Sequence, residues 1–129
     1  MNADELRART RKFALRVVKM VQALPKSAVA DVLGKQVLRS ATSVGANYRA
    51  ACNAVTRSLF LHKMSIVVEE ADETVYWLEL IRDAELVRPE KLTSLIDEAE
   101  QILKIMSASL KTARSGRRRD PSPSSPMPQ

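Results

Sequence analysis

The stretch from Arg57 to Ile81 is apolar on two sides at helical spacing, and this limits more than anything else what the chain can fold into. One stripe reads Phe60, Met64, Val67, Ala71, Val75 and Leu78. A second, roughly 100° or more around the cylinder, reads Leu59, Ile66, Trp77 and Leu80. A helix at the surface of a small monomer needs one apolar face. Two faces predict two packing partners: the rest of its own bundle, and a neighbour outside it.

The flanking sequence supplies the rest of the bundle. A first helix is predicted from about Asp4 to Leu24, with Leu6, Phe13, Val17, Met20 and Leu24 on one face, and Pro25 ends it for want of an N–H. A second spans Ser27 to Cys52, with Ser27 as N-cap and Val29, Val32, Leu33, Val37, Ala41, Val44 and Tyr48 facing inward. Gly34 and Gly45 lie inside it, and each costs about 1 kcal/mol relative to Ala. The small residues around Gly45 let another helix backbone come close. Thr56 caps the third helix, and Pro89 opens a fourth whose stripe is Leu92, Leu95, Ala99, Ile102, Met106 and Leu110. Short links between helices of similar length predict an all-α, antiparallel up-down four-helix bundle over residues 1–114. Residues 115–129, basic and then Pro/Ser-rich, cannot bury a core and are expected to be a disordered tail.

Scarce aromatics (4%) and only three glycines argue against a sandwich or barrel. No apolar run reaches the roughly 18 residues that cross a bilayer, so no membrane partner is expected. The charged N-terminal segment carries no secretory signal core, and the single cysteine, Cys52, fits a small core residue in a reducing cytoplasm.

Charge is partitioned along the chain. Residues 1–63 carry twelve Lys/Arg against three Asp/Glu, a net +9. Residues 64–110 carry four against eleven, a net −7, and residues 111–129 carry five against one, a net +4. Such a separation either holds helices and subunits in register or leaves a basic surface for a polyanion.

One segment carries a family resemblance. Residues 36–47, Gln-Val-Leu-Arg-Ser-Ala-Thr-Ser-Val-Gly-Ala-Asn, are followed by Phe60-Leu-His-Lys-Met64 and by Glu73. This pattern resembles the bacterial four-helix-bundle proteins encoded in intervening sequences of 23S ribosomal RNA genes, relatives of the accessory variability determinant of diversity-generating retroelements. Gln36, Arg39, Ala41, Ser43, Ala46, Asn47, Phe60, Ile66, Glu73 and Leu78 match the family pattern. Gly45 stands where the family has Pro, Ala50 and Ala51 where it has Glu-Gly, and Val75 where a second Glu is common. The resemblance covers roughly residues 10–113. It implies a ring-shaped homopentamer with a positively charged surface, and a nonenzymatic partnership with nucleic acid and reverse transcriptase.

Candidate sites follow. Arg7, Arg9, Arg11, Lys12, Arg16, Lys19, Arg39, Arg49 and the run Arg117, Arg118 and Arg119 are the residues expected to grip phosphates, sequence-blind and salt-sensitive. The competing reading pairs these cations with the acidic third and fourth helices. Ser43, Asn47, Tyr48, Leu59, Ile66, Glu73, Trp77 and Leu80 are the expected subunit interface, with Glu73 pairing a basic residue such as Arg39 across helices or subunits. No metal or other cofactor is expected, since a di-metal bundle needs Glu-x-x-His pairs and the chain has one histidine. Arg57 and His62 form an Arg-x4-His pattern like that of HEPN-type ribonucleases, and constitute the catalytic alternative. A purely structural assembly module is the third reading.

Overall fold

A computed structural model describes residues 1–116. Four helices follow one another: α1 (Ala3–Gln22), α2 (Ala28–Cys52), α3 (Arg57–Asp83) and α4 (Pro89–Arg114). Their ends are where local chemistry puts them. Asn2 and Glu5 form a reciprocal capping box at the start of α1, with side-chain to backbone bonds of 2.8 and 3.0 Å. Ser27 and Thr56 accept from the backbone N–H three residues on and cap α2 and α3. At the end of α3, Leu86 N donates to the Ile81 carbonyl and Glu85 N to the Arg82 carbonyl. This is a Schellman motif, and its left-handed position, usually glycine, is held by Glu85 at φ 60°.

Each helix packs on its two neighbours: α2 lies between α1 and α3, α3 between α2 and α4, and α4 closes back on α1. The diagonal pairs do not approach one another. This is the expected up-down bundle. The α2–α3 pairing is the most extensive and the α1–α4 seam the slightest.

The core is built from the predicted stripes. Met64, Val67, Ala71 and Leu78 of α3 meet Val37, Ala41 and Val44 of α2, with Phe13 and Val17 of α1 and the whole α4 stripe. Three buried hydroxyls join them. Thr74 Oγ1 lies 2.7 Å from the Glu70 carbonyl and 3.0 Å from Ser40 Oγ, linking α3 to α2. Thr10 Oγ1 donates to the Leu6 carbonyl at 2.9 Å and stands opposite Gly45 of α2. Gly45 is thus the point where α1 and α2 approach, as the small residues around it suggest.

Two expectations need correction. Val29 and Val32 do not face inward; they are 55% and 59% exposed on the first turns of α2. That end of α2 reaches Val21 of α1 and Leu24 just past its end through Gly34, and buries Ala30 and Leu33, leaving the adjacent apolar arc uncovered. Tyr48, expected at a subunit interface, is 6% exposed and belongs to the core of the single subunit. Burial pushes its phenol pKa upward, and the neighbouring Cys52 adds to the shift.

Candidate nucleic-acid interface

The expected cations divide into two groups. Arg9 reaches from α1 across the seam to α4. Its Nε and Nη2 donate to the two carboxylate oxygens of Glu98 at 2.7 and 2.9 Å, and Nη2 also reaches Gln101 at 2.8 Å. This fork geometry stabilises both charged forms. The hydrogen bond from Arg9 holds the Glu98 carboxyl below its ordinary range, and the same bond raises the guanidinium. Arg16 donates to Ser94 of α4 at 2.9 Å, and Arg7 pairs with Asp4 on α1. Arg39 of α2 bridges to α3, meeting Glu73 at 2.5 Å and Glu70 at 3.2 Å. Burial raises the Glu70 carboxyl pKa even though Arg39 pulls it down. Arg9, Arg16 and Arg39 therefore hold helices together, as the competing reading of the charge partition anticipated for cations facing α3 and α4, while Arg7 is engaged within α1.

Arg11, Lys12, Lys19 and Arg49 form the second group. All are exposed, and their side chains make no ion pair or hydrogen bond among the described residues. Arg11, Lys12 and Lys19 share the outer face of α1, while Arg49 stands in the last turn of α2. Arg117, Arg118 and Arg119 lie outside the described residues.

The residues expected at a subunit interface gather along the α2–α3 seam. Gln36, Ser43 and Asn47 recur at i, i+7 and i+11 on α2; Ile66, Glu73 and Trp77 do so on α3. The Arg39–Glu73 ion pair and the Ser40–Thr74 contact fix the antiparallel register between them. Glu73 thus pairs with Arg39 across helices, within the subunit. Asn47 Nδ2 donates to the Ser43 carbonyl and lies 2.9 Å from Ser43 Oγ, bonds internal to α2. Ile66, Trp77 and Leu80 are half-buried, and Leu59 is exposed at the start of α3. Tyr76 packs edge-on against Trp77, ring centres 5.0 Å apart. The buried Trp77 indole N–H finds no acceptor among the described residues.

Arg57 and His62 are both on α3. Five residues along a regular helix turn them roughly 140° apart. Arg57 Nη2 donates to the Ala113 carbonyl at 2.6 Å, clipping the end of α4, and His62 is exposed. Among the described residues no cluster of His, Cys, Asp and Glu is arranged to hold a metal ion. No described helix is long and apolar enough to cross a membrane.

The sequence reading did not anticipate the buried hydroxyls of Thr10, Ser40 and Thr74. The one available signal was their placement, each on an otherwise apolar stripe.

A bundle with this connectivity and a surface divided by charge defines a class: the up-down, all-α helical bundles. Within that class the chain belongs to the 23S rRNA-intervening sequence protein family, whose profile matches residues 5–108. It is similar to a crystal structure of a protein of unknown function from the S23 ribosomal protein family of Bacteroides thetaiotaomicron. The two share 36% identity over 87% of this chain and 100% of the other, with a TM-score of 0.80. No curated protein matches the chain.

Proposed function

We propose that this protein is a noncatalytic, self-associating bundle that binds nucleic acid through its basic surface. The observation that carries this reading is the set of exposed cations, Arg11, Lys12, Lys19 and Arg49, that make no ion pair or hydrogen bond among the described residues, beside four arginines that are engaged. Cations held by carboxylates release few counterions on meeting a phosphate, whereas unpaired ones release them freely. The chain's net charge of +6 favours encounter with a polyanion. The family's name ties its members to intervening sequences of 23S ribosomal RNA.

Self-association is supported by apolar surface that one subunit leaves in water. Val29 and Val32 of α2 are exposed, and Trp77 and Leu80 of α3 are half-covered. A pentameric ring, as the family resemblance implies, would multiply weak phosphate contacts by avidity. A reverse transcriptase is a further partner of the kind that resemblance suggests.

Light scattering combined with size-exclusion chromatography tests assembly, and a monomer at tens of micromolar would remove that half of the reading. Fluorescence anisotropy with labelled RNA and DNA across a salt series tests binding. Affinity should fall steeply with salt, and no binding at about 50 mM salt would end the nucleic-acid proposal. RNA incubated with the protein should stay intact. Cleavage abolished by His62→Ala would establish the ribonuclease alternative instead.

A further inference from the structure

The fold brings cations together that are far apart in the chain. Because the helices alternate in direction, the end of α2, the start of α3 and the end of α4 meet at one pole of the bundle. Two contacts fix this: Arg57 at the start of α3 donates to Ala113 at the end of α4, and Thr10 on α1 packs against Gly45 on α2. Arg49, Arg57, Lys63, Lys111 and Arg114 all stand within about two turns of that pole.

Carboxylates are scarce there. Between Asp31 and Glu69 the chain has none, and none follows Glu100 within the described residues. The pole's acids come from α1 alone. Asp4 is paired with Arg7, and Glu5 accepts the Asn2 N–H in the capping box. The opposite pole, in contrast, mixes Asp31, Glu79, Asp83, Glu85 and Glu90 among its cations.

Helix dipoles account for part of this pattern. Arg49, Lys111 and Arg114 sit in the last turns of α2 and α4, where cations are favoured. They do not account for all of α3. Its first turn contains no acid, and although Arg57 is offset by its bond to the Ala113 carbonyl at the negative end of α4, Lys63 makes no ion pair or hydrogen bond among the described residues. Lys63 adds a further positive charge less than two turns on.

Apolar surface is exposed at the same pole. Val55, in the link between α2 and α3, is 76% exposed, and Leu59 beside it is 39% exposed. Cations and exposed aliphatic side chains at one pole fit a ligand that is both anionic and flat-faced. Single-stranded nucleic acid has this character, since its phosphates are accessible and its bases are free to leave the stack. A duplex hides its base faces, and an acidic peptide has none.

We infer that single-stranded nucleic acid binds at the pole where α2 ends, α3 begins and α4 ends, through Arg49, Lys63, Lys111 and Arg114, with Val55 and Leu59 meeting its bases. The inference rests on the nucleic-acid reading above and locates it. It centres the grip on that pole, with the exposed cations of α1 as secondary contacts.

Two full-length variants with equal charge removed test the location. The pole variant carries Arg49→Gln, Lys63→Gln, Lys111→Gln and Arg114→Gln. It leaves Arg57 in place, so the clip onto α4 is kept. The control carries Lys26→Gln, Lys35→Gln, Arg88→Gln and Lys91→Gln, exposed cations at the opposite pole that belong to no binding surface described above. The probe is a fluorescein-labelled 20-nucleotide oligouridylate, titrated across a salt series. A 20-base-pair duplex and polyglutamate are compared as competitors. The pole variant should lose affinity by at least about tenfold, and its salt slope should flatten by roughly 2 to 3; the control should change by less than about threefold. Val55→Ser should weaken the single strand several-fold while leaving the salt slope unchanged, because it removes an uncharged contact.

Equal losses in the two variants would overturn the location, since total charge alone would then matter. A loss confined to the control would overturn it too, while leaving the nucleic-acid reading intact. Competition by duplex or polyglutamate as strong as by the single strand would overturn the ligand class. Failure of the unmodified chain to bind at 50 mM salt would remove the underlying reading itself.

Discussion

Replacing Gly45 with alanine should stabilise the bundle. Glycine inside a helix costs about 1 kcal/mol relative to alanine, because it leaves the unfolded chain more freedom. The opposing term is crowding against α1. An added Cβ would lie 3.4 Å from Thr10 Oγ1, 3.5 Å from Thr10 Cβ and 3.7 Å from the Thr10 carbonyl carbon. These are ordinary contact distances, so nothing needs to move, and Thr10 keeps its bond to the Leu6 carbonyl. The net effect is then close to the full helix-propensity gain, about 1 kcal/mol. For a domain of this size that is a rise of roughly 3–5 °C in midpoint. Gly34 is the internal control. There the added Cβ would meet Leu24 Cδ1 at 3.1 Å, so Leu24 must shift and the gain shrinks toward zero. Urea unfolding followed by circular dichroism, at one fixed protein concentration, measures both. A Gly45→Ala variant less stable than the parent by 1 kcal/mol or more would refute the reasoning. It would mean that α1 and α2 tolerate no side chain at their crossing.

Three further outcomes follow from the geometry. Glu85→Gly should stabilise the protein by about 0.5–1 kcal/mol in the same urea assay, since it relieves a left-handed, non-glycine residue in the α3–α4 link. Met64→Ala should cost roughly 3 kcal/mol, because Met64 is fully buried at the centre of the core. Glu98→Gln should cost about 1 kcal/mol at neutral pH. The Glu98 pKa is lowered in the folded state, so its contribution is fully present above the ordinary carboxylate value and is lost as the pH falls through the lower folded value. The difference between parent and Glu98→Gln should therefore shrink as the pH falls below the ordinary carboxylate range and vanish below the lowered folded value, and a constant difference across that range would show that the Arg9 pair is not its source.

The helices, their caps and most of the core were legible in the sequence because each signal is local. Ser27, Thr56, Pro25 and Pro89 act within a few residues of where they stand. What was not legible depends on which of two neighbouring apolar arcs the other helices cover. Val29 and Val32 continue an inward-looking stripe, yet the packing of α1 against Gly34 buries Ala30 and Leu33 instead. Tyr48 reads both as part of the inward face of α2 and as an interface residue, and only the packing of the subunit decides for the core. The two-sided α3 was read correctly as having two apolar stripes. Its second stripe is half-covered by the subunit's own α2 flank, a share that periodicity alone cannot apportion. For the charges, composition announced the separation of sign but not its pairing. That Arg9 and Arg39 are engaged while Arg11, Lys12, Lys19 and Arg49 stand free follows only from rotation of the helices about their axes.

Across the α1–α4 seam, the slightest in the bundle, Arg9 grips Glu98 and Gln101 and Arg16 grips Ser94. A clasp made this way weakens in salt and in acid, whereas the greasy joints between the other helices do not. The bundle accordingly has a hinge side and a latch side. Amide exchange should begin along the first helix, and a subunit that lends that helix to a neighbour would re-form the same latch between two chains.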